Sequence, residues 1–240
     1  MNELVKLVTR VGAAGEAFSW TPPGKPHPHV ERRGLWVVLL GPDGVGKSAV
    51  IAELAGERST GFRGCATYHL RPTLLRRGIT RVTNVDPHGQ MARGKLISMF
   101  KLIYLLVLNW LGHLVAVRPQ LARGNLILFD RYFPDCLVDP KRYRLPESCR
   151  RMTESIARFL PQPDLYVVLD APATALQQRK REVPLAESER QRTDYATRFE
   201  KLPHGAIVDA TRPLTDVAAE VLDRITELRL LRYRQRYEVA

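Results

Sequence analysis

Between Gly41 and Ser48 the chain reads GPDGVGKS, three glycines leading to a lysine and a hydroxyl. That order fits G-x-x-x-x-G-K-[S/T], the pattern of a loop that wraps phosphate groups. Gly41, Gly44 and Gly46 let the backbone curl until the N–H groups of the Asp43–Ala49 stretch, Val45 and Ala49 included, converge on one anion. A helix starting near Lys47 adds its positive end to the same point. Lys47 is then placed to reach the β- and γ-phosphates, and the Ser48 hydroxyl to ligate Mg²⁺. A second group of residues follows an apolar run in NLILFDRYFPD, which delivers Asp130, Arg131 and Tyr132. A carboxylate at the end of a strand beside a phosphate loop can hold the metal directly or through water. A guanidinium next to it can bridge two phosphates as charge passes from donor to acceptor. Without the loop, Asp-Arg-Tyr would be an ordinary strand-ending turn; with it, we expect Asp130 and Arg131 in the site.

Chance would place the loop pattern in roughly one chain in a hundred of this length, so its flanks decide the matter. LWVVLL before it is a strand and SAVIAELA after it is helical, the context the pattern requires. Further strand candidates are Ala66–Leu70, Asn125–Asp130, Asp164–Asp170 and Ala206–Asp209, besides Leu35–Leu40. Helical stretches separate them. Strands alternating with helices imply a parallel sheet covered on both faces, an α/β three-layer domain. Ligands of such sheets bind beyond the strand C-termini, where Arg71 in YHLRPTLLRRG also stands. Residues 1–33 read as a short amphipathic arm, with Leu4, Leu7, Val8 and Val11 at helical spacing, and a proline-rich linker, TPPGKPHPHVERRG. The catalytic domain is expected at 34–240. Within it, the charged stretch at about 180–193 reads as a flap over the donor, with Arg181, Arg190 or Arg192 as the arginine it supplies.

The most apolar stretch is Leu96–Val117, LISMFKLIYLLVLNWLGHLVAV. At 100° per residue, Ser98, Lys101, Asn109 and His113 fall within about 120° of one another. Two readings stand. One is a buried helix with a solvated polar edge. The other packs the apolar sides in the core or a dimer contact and turns the polar stripe, Lys101 and Asn109 included, toward an acceptor cavity. A bilayer span between two strands of one sheet is the least favoured alternative.

The net charge of +12 favours phosphorylated ligands, nucleic acid or an anionic membrane surface. Nucleic acid is disfavoured because the positive residues cluster where phosphate-handling loops are expected, with no stacking-aromatic motif beside them; a membrane surface also ranks behind a small phosphate acceptor. The cysteines, Cys65, Cys136 and Cys149, are scattered, which suits a reducing cytoplasm. Glu3, Lys6 and Arg10 stand where a signal peptide needs an unbroken apolar run. A nucleotide-driven switch with a protein or nucleic-acid partner remains the alternative from another class; the chain has no Asn/Thr-Lys-x-Asp guanine signature, so ATP is preferred.

Taken in order, these landmarks resemble the thymidylate kinase family of P-loop nucleoside monophosphate kinases. GPDGVGKS resembles its phosphate loop, FDRY its Asp-Arg-Tyr motif, LYVVLDAPATALQQRKRE its fourth strand and lid start, and AIVDATRPLTDVAAEVLDRI its last strand and closing helix. The resemblance implies a P-loop kinase fold with a five-stranded parallel sheet in the order 2-3-1-4-5 and helices on both faces. It also implies ATP with Mg²⁺ and a homodimer. It places Asp43 on an acceptor hydroxyl, Arg71 and Arg131 on the acceptor's phosphate, and Arg179 near the adenine. The chain departs from the family's pattern at HLRPTLL, at the apolar Leu96–Val117 and in FPDCLVDPKRYR, which carries Asp135, Asp139, Arg142 and Arg144.

Overall fold

LWVVLL has no polar residue on either face, so it must lie where both faces are covered. It does: strand β1, Leu35–Leu40, is buried along its whole length. The computed structural model describes residues 33–56, 61–70, 94–179, 183–200, 202 and 204–237, all within the unit Glu31–Ala240. Apart from Arg33, the expected arm at 1–33 lies outside the described residues.

Around β1 stand β2 (Cys65–His69), β3 (Leu126–Asp130), β4 (Leu165–Asp170) and β5 (Gly205–Asp209). The order is β2-β3-β1-β4-β5 and every pairing is parallel, as the resemblance implied. No strand bound differs from the sequence reading by more than one residue. β2 differs in kind. Its residues alternate between exposed and half-buried, because it is an edge strand and not the doubly covered strand expected.

The helices are α1 (Lys47–Gly56), α2 (Lys95–Gly112), α3 (Arg118–Ala122), α4 (Asp135–Val138), α5 (Arg150–Phe159), α6 (Ala173–Arg179), α7 (Leu185–Phe199) and α8 (Leu214–Tyr237). A π turn, His113–Val117, joins α2 to α3. Because strand side chains alternate, β1 feeds two cores. Leu35, Val37 and Leu39 meet Val50 and Leu54 of α1 and Val217 and Val221 of α8. Trp36, Val38 and Leu40 meet Leu102 of α2 and Tyr195 and Phe199 of α7. At about 1.5–3 kcal/mol per fully buried large apolar side chain, these two layers fix the sheet's position against the helices that carry the site.

Helix α2 corrects the reading of a buried helix with a wet polar edge. Phe100 and Leu96 are 73% and 71% exposed, and Ile103, Val107 and Leu114 continue that open face. The polar stripe turns inward instead. Ser98 and Asn109 are buried, Lys101 Nζ donates to the Tyr143 carbonyl, and the His113 ring packs on Trp36 at 5.3 Å. The stretch Leu96–Ala122 is long and apolar enough to cross a membrane by composition alone; it also buries Leu102 and Val117 completely against the sheet.

Candidate active site

The loop between β1 and α1 is shaped by its glycines. Gly41 has φ +137°, and a Cβ there would strike the Leu169 carbonyl of β4. Gly44 and Gly46 are also left-handed, at +80° and +105°, conformations that disfavour any side chain. α1 starts at Lys47, with Ala49 N and Val50 N both donating to Gly46 O at 3.0 Å, so its positive end faces the loop. Val45 is buried and ties the loop to the core.

Lys47 is buried, and its Nζ donates to Gly41 O and Pro42 O at 2.8 Å each. Burial, and then the nearby Arg131 charge, push its ammonium down from 10.5 to about 8. Phosphates entering the loop favour the charged form. Binding Mg-ATP at pH 8 should therefore take up about half a proton, and binding at pH 6.5 almost none. Calorimetry in buffers of differing ionisation enthalpy reads this directly; equal uptake at both pH values would contradict it. Without ligand the sign is opposite. The unfolded chain binds the extra proton between pH 8 and 10.5, so this group makes the free protein more stable as pH rises through that window.

Ser48 Oγ donates to Asp130 Oδ2 at 2.8 Å, joining the helix start to the end of β3. Burial opposes ionisation of Asp130, but hydrogen bonds from His69 and Ser48 and the Lys47 charge hold it down at about 2. His69 Nδ1 lies 3.5 Å from Oδ2. Asp130 Oδ1 is buried without a hydrogen-bond partner among the described residues. A hydroxyl and an ionised carboxylate with one oxygen left over, beside a phosphate loop, fit Mg²⁺.

Arg131 leaves β3 with φ +69° and is buried. Nη2 pairs with Asp43 of the loop, and Nη1 with Asp135 Oδ2 at 2.7 Å. Burial works against its charge, yet the Asp135 and Asp43 carboxylates raise its pKa well above the ordinary value. Asp135 is fully buried and also accepts from Tyr143 OH at 2.6 Å and from Tyr195 OH of α7. Burial first, and the Asp135 charge next, push both phenols well above their ordinary pKa, so both stay donors. Asp43 is held from its other side by Arg142.

The structure thus brings Gly41, Asp43, Gly44, Val45, Gly46, Lys47, Ser48, Ala49, Asp130 and Arg131 to one sheet edge. Arg179 donates to Ala210 O at 3.2 Å, beside the loop entering α8. Asn109 Nδ2 bonds Leu105 O at 2.8 Å, while its Oδ1 is buried and unpartnered among the described residues, in a void of about 10 Å³ with Leu70, Phe133 and Tyr143. Arg71 and Arg181 lie outside the described residues. Of the other flap arginines, Arg190 is paired with Glu187 and Asp194, and Arg192 grips Asp170 through two bonds of 2.8 Å. Asp135, Tyr143, Tyr195, His69 and Arg142 were not assigned roles from sequence. The FPDCLVDPKRYR run marked two of them, Asp135 and Arg142, as unusual; nothing local marked Tyr195.

A phosphate loop, a Ser–Asp pair beyond β3 and the 2-3-1-4-5 sheet define a P-loop kinase fold. No protein-family model matches the chain. Thymidylate kinase of Xanthomonas campestris pv. campestris is 30% identical over 151 residues, covering 58% of this chain and 57% of that one; the chain therefore spans under two thirds of that relative's length. Thymidylate kinase of Akkermansia muciniphila is 29% identical over 159 residues, 62% of this chain and 68% of the other. That of Xylella fastidiosa is 24% identical over 213 residues, 84% and 91%. Solved thymidylate kinase structures from Ehrlichia chaffeensis (TM-score 0.55, 16% identity, 80% and 99% covered) and Candida albicans (0.57, 15%, 82% and 94%) share the fold. The chain is thymidylate kinase-like in sequence and fold, and divergent.

Proposed function

We propose that this protein is an ATP- and Mg²⁺-dependent phosphotransferase that moves the γ-phosphate of ATP to a small acceptor. The observation that carries the reading is the Lys47–Ser48–Asp130 arrangement around the glycine loop. Loop N–H groups and Lys47 bind and orient the donor phosphates. Ser48 and Asp130 would hold Mg²⁺, which when bound offsets phosphate charge. Arg131, held by Asp135, opposes charge building up between donor and acceptor. Catalysis is positioning and neutralisation, with no covalent enzyme intermediate. Arg71 on the acceptor phosphate, Arg179 by the adenine and Arg181 as the flap arginine complete the proposal.

A nucleoside monophosphate of the dTMP type is the first acceptor to try, by likeness to the thymidylate kinases. A second reading, a sugar, sugar phosphate or other non-nucleotide metabolite, rests on the departures from the family's pattern at HLRPTLL, at Leu96–Val117 and in FPDCLVDPKRYR. ADP release from Mg-ATP, with mass detection of products, across nucleoside monophosphates, nucleosides, sugars and sugar phosphates tests both. Stimulation by one acceptor with transfer of phosphate supports the reading; release that no acceptor stimulates shifts weight to a nucleotide switch. Asn109→Leu should change acceptor preference by about tenfold and leave ATP affinity alone. A fall in ATP affinity with unchanged acceptor preference would remove α2 from the acceptor wall.

A further inference from the structure

Two neighbouring strands end at the same level beside the loop. His69 closes β2 and Asp130 closes β3, and the two are register partners in the parallel pairing. Each is followed by a left-handed residue, Leu70 at φ +62° and Arg131 at φ +69°, a conformation that side chains disfavour. Leu70 N donates to Asp130 O at 2.9 Å and Arg131 N to Leu39 O at 3.0 Å, which fixes both strand ends. His69 Nδ1 is thereby held 3.5 Å from Asp130 Oδ2. Packing does not call for an imidazole there, because the His69 side chain is 64% exposed. Nor does the carboxylate. Oδ2 already accepts from Ser48 Oγ at 2.8 Å, and it is Oδ1 that is buried without a hydrogen-bond partner among the described residues. His69 is also the first residue of HLRPTLL, where the chain leaves the thymidylate kinase pattern.

We infer that His69 is a third protein donor to the divalent cation, beside Ser48 and Asp130, and that the site therefore favours first-row transition ions over Mg²⁺ more than an all-oxygen site would. This rests on the phosphotransferase reading above. Bonds from imidazole nitrogen and carboxylate oxygen to an ion such as zinc are about 2.0–2.2 Å long. Two such donors can share one ion only when they stand within roughly 4.2 Å of each other. His69 Nδ1 and Asp130 Oδ2 meet that condition. The neutral ring offers the Nδ1 lone pair when its proton sits on Nε2. Mg²⁺ prefers oxygen and gives up its water reluctantly, whereas imidazole nitrogen suits the transition ions. The sequence departure at HLRPTLL then alters the metal chemistry of the site.

The test uses full-length protein, Mn²⁺ as a paramagnetic probe, and AMPPCP, whose bridge carries no nitrogen. Electron spin-echo spectroscopy of the ternary complex should show the nitrogen coupling of one imidazole bound to Mn²⁺, absent in His69→Ala. Co²⁺ affinity in the same complex should fall at least about tenfold in His69→Ala, and Mg²⁺ affinity should fall by less. A structural contact alone would give neither the nitrogen signal nor the unequal losses. Mn²⁺ that binds with AMPPCP but shows no imidazole coupling, or shows it undiminished in His69→Ala, overturns the inference while leaving the phosphotransferase reading standing. Failure of AMPPCP to bind with either Mn²⁺ or Mg²⁺ would instead strike that reading and this inference with it.

Discussion

Replacing Lys47 with alanine should lower phosphate transfer at least about a thousandfold while the domain stays folded. The rate effect follows from losing a buried cation proposed to meet the donor's outer phosphates, in a site where each such donor is worth about a hundredfold to a thousandfold. The folding expectation follows from the resting state. Burial already disfavours the Lys47 ammonium, pushing it to about 8, and its partners are the loop carbonyls of Gly41 and Pro42, which water can take over once the side chain is gone. Single-turnover ADP formation and a thermal melt read the two halves. Near-normal turnover in a folded variant would contradict the assignment of the loop.

The largest stability effect is expected at Asp135. Its carboxylate is fully buried and serves Arg131, Tyr143 and Tyr195 together. Asp135→Ala leaves a buried guanidinium with one carboxylate instead of two and strands both phenols, so a loss of about 3–5 kcal/mol is expected. Tyr195→Phe removes a single donor and should cost about 1–2 kcal/mol. Urea unfolding of both variants gives the comparison. Asp135→Ala as stable as the parent would mean that the network does not hold Arg131 in place. Because α7 carries Tyr195 and also Arg190, which donates to Val138 O at 2.8 Å, the same variants should loosen the seating of α7 on α4.

Much of this was legible in the sequence because it is local. The glycine loop needs only eight consecutive residues, and the strand before it and the helix after it show in their own apolar patterns; the strand order came from the resemblance. Asp130 and Arg131 follow from their place at a strand end. Other features depend on distant partners. Tyr195 meets Asp135 across 60 positions of sequence, and no pattern in LAESERQRTDYATRF singles it out. For α2 two readings stood, because hydrophobic periodicity shows that a helix has two faces without showing which one meets the sheet. Here Lys101 ties the stripe to the Tyr143 carbonyl, Ser98 and Asn109 are buried, and Leu96 and Phe100 lie open. The place of β2 in the order is the one the resemblance implied; its half-exposed residues differ from the doubly covered strand that the apolar runs suggested.

The most direct measurement follows the γ-phosphate itself. With γ-³²P-ATP, Mg²⁺ and a panel of nucleoside monophosphates that includes dTMP, nucleosides, sugars and sugar phosphates, the account predicts label transferred to one acceptor, lost in Lys47→Ala. Label recovered only as inorganic phosphate, at a rate no acceptor changes, would contradict it.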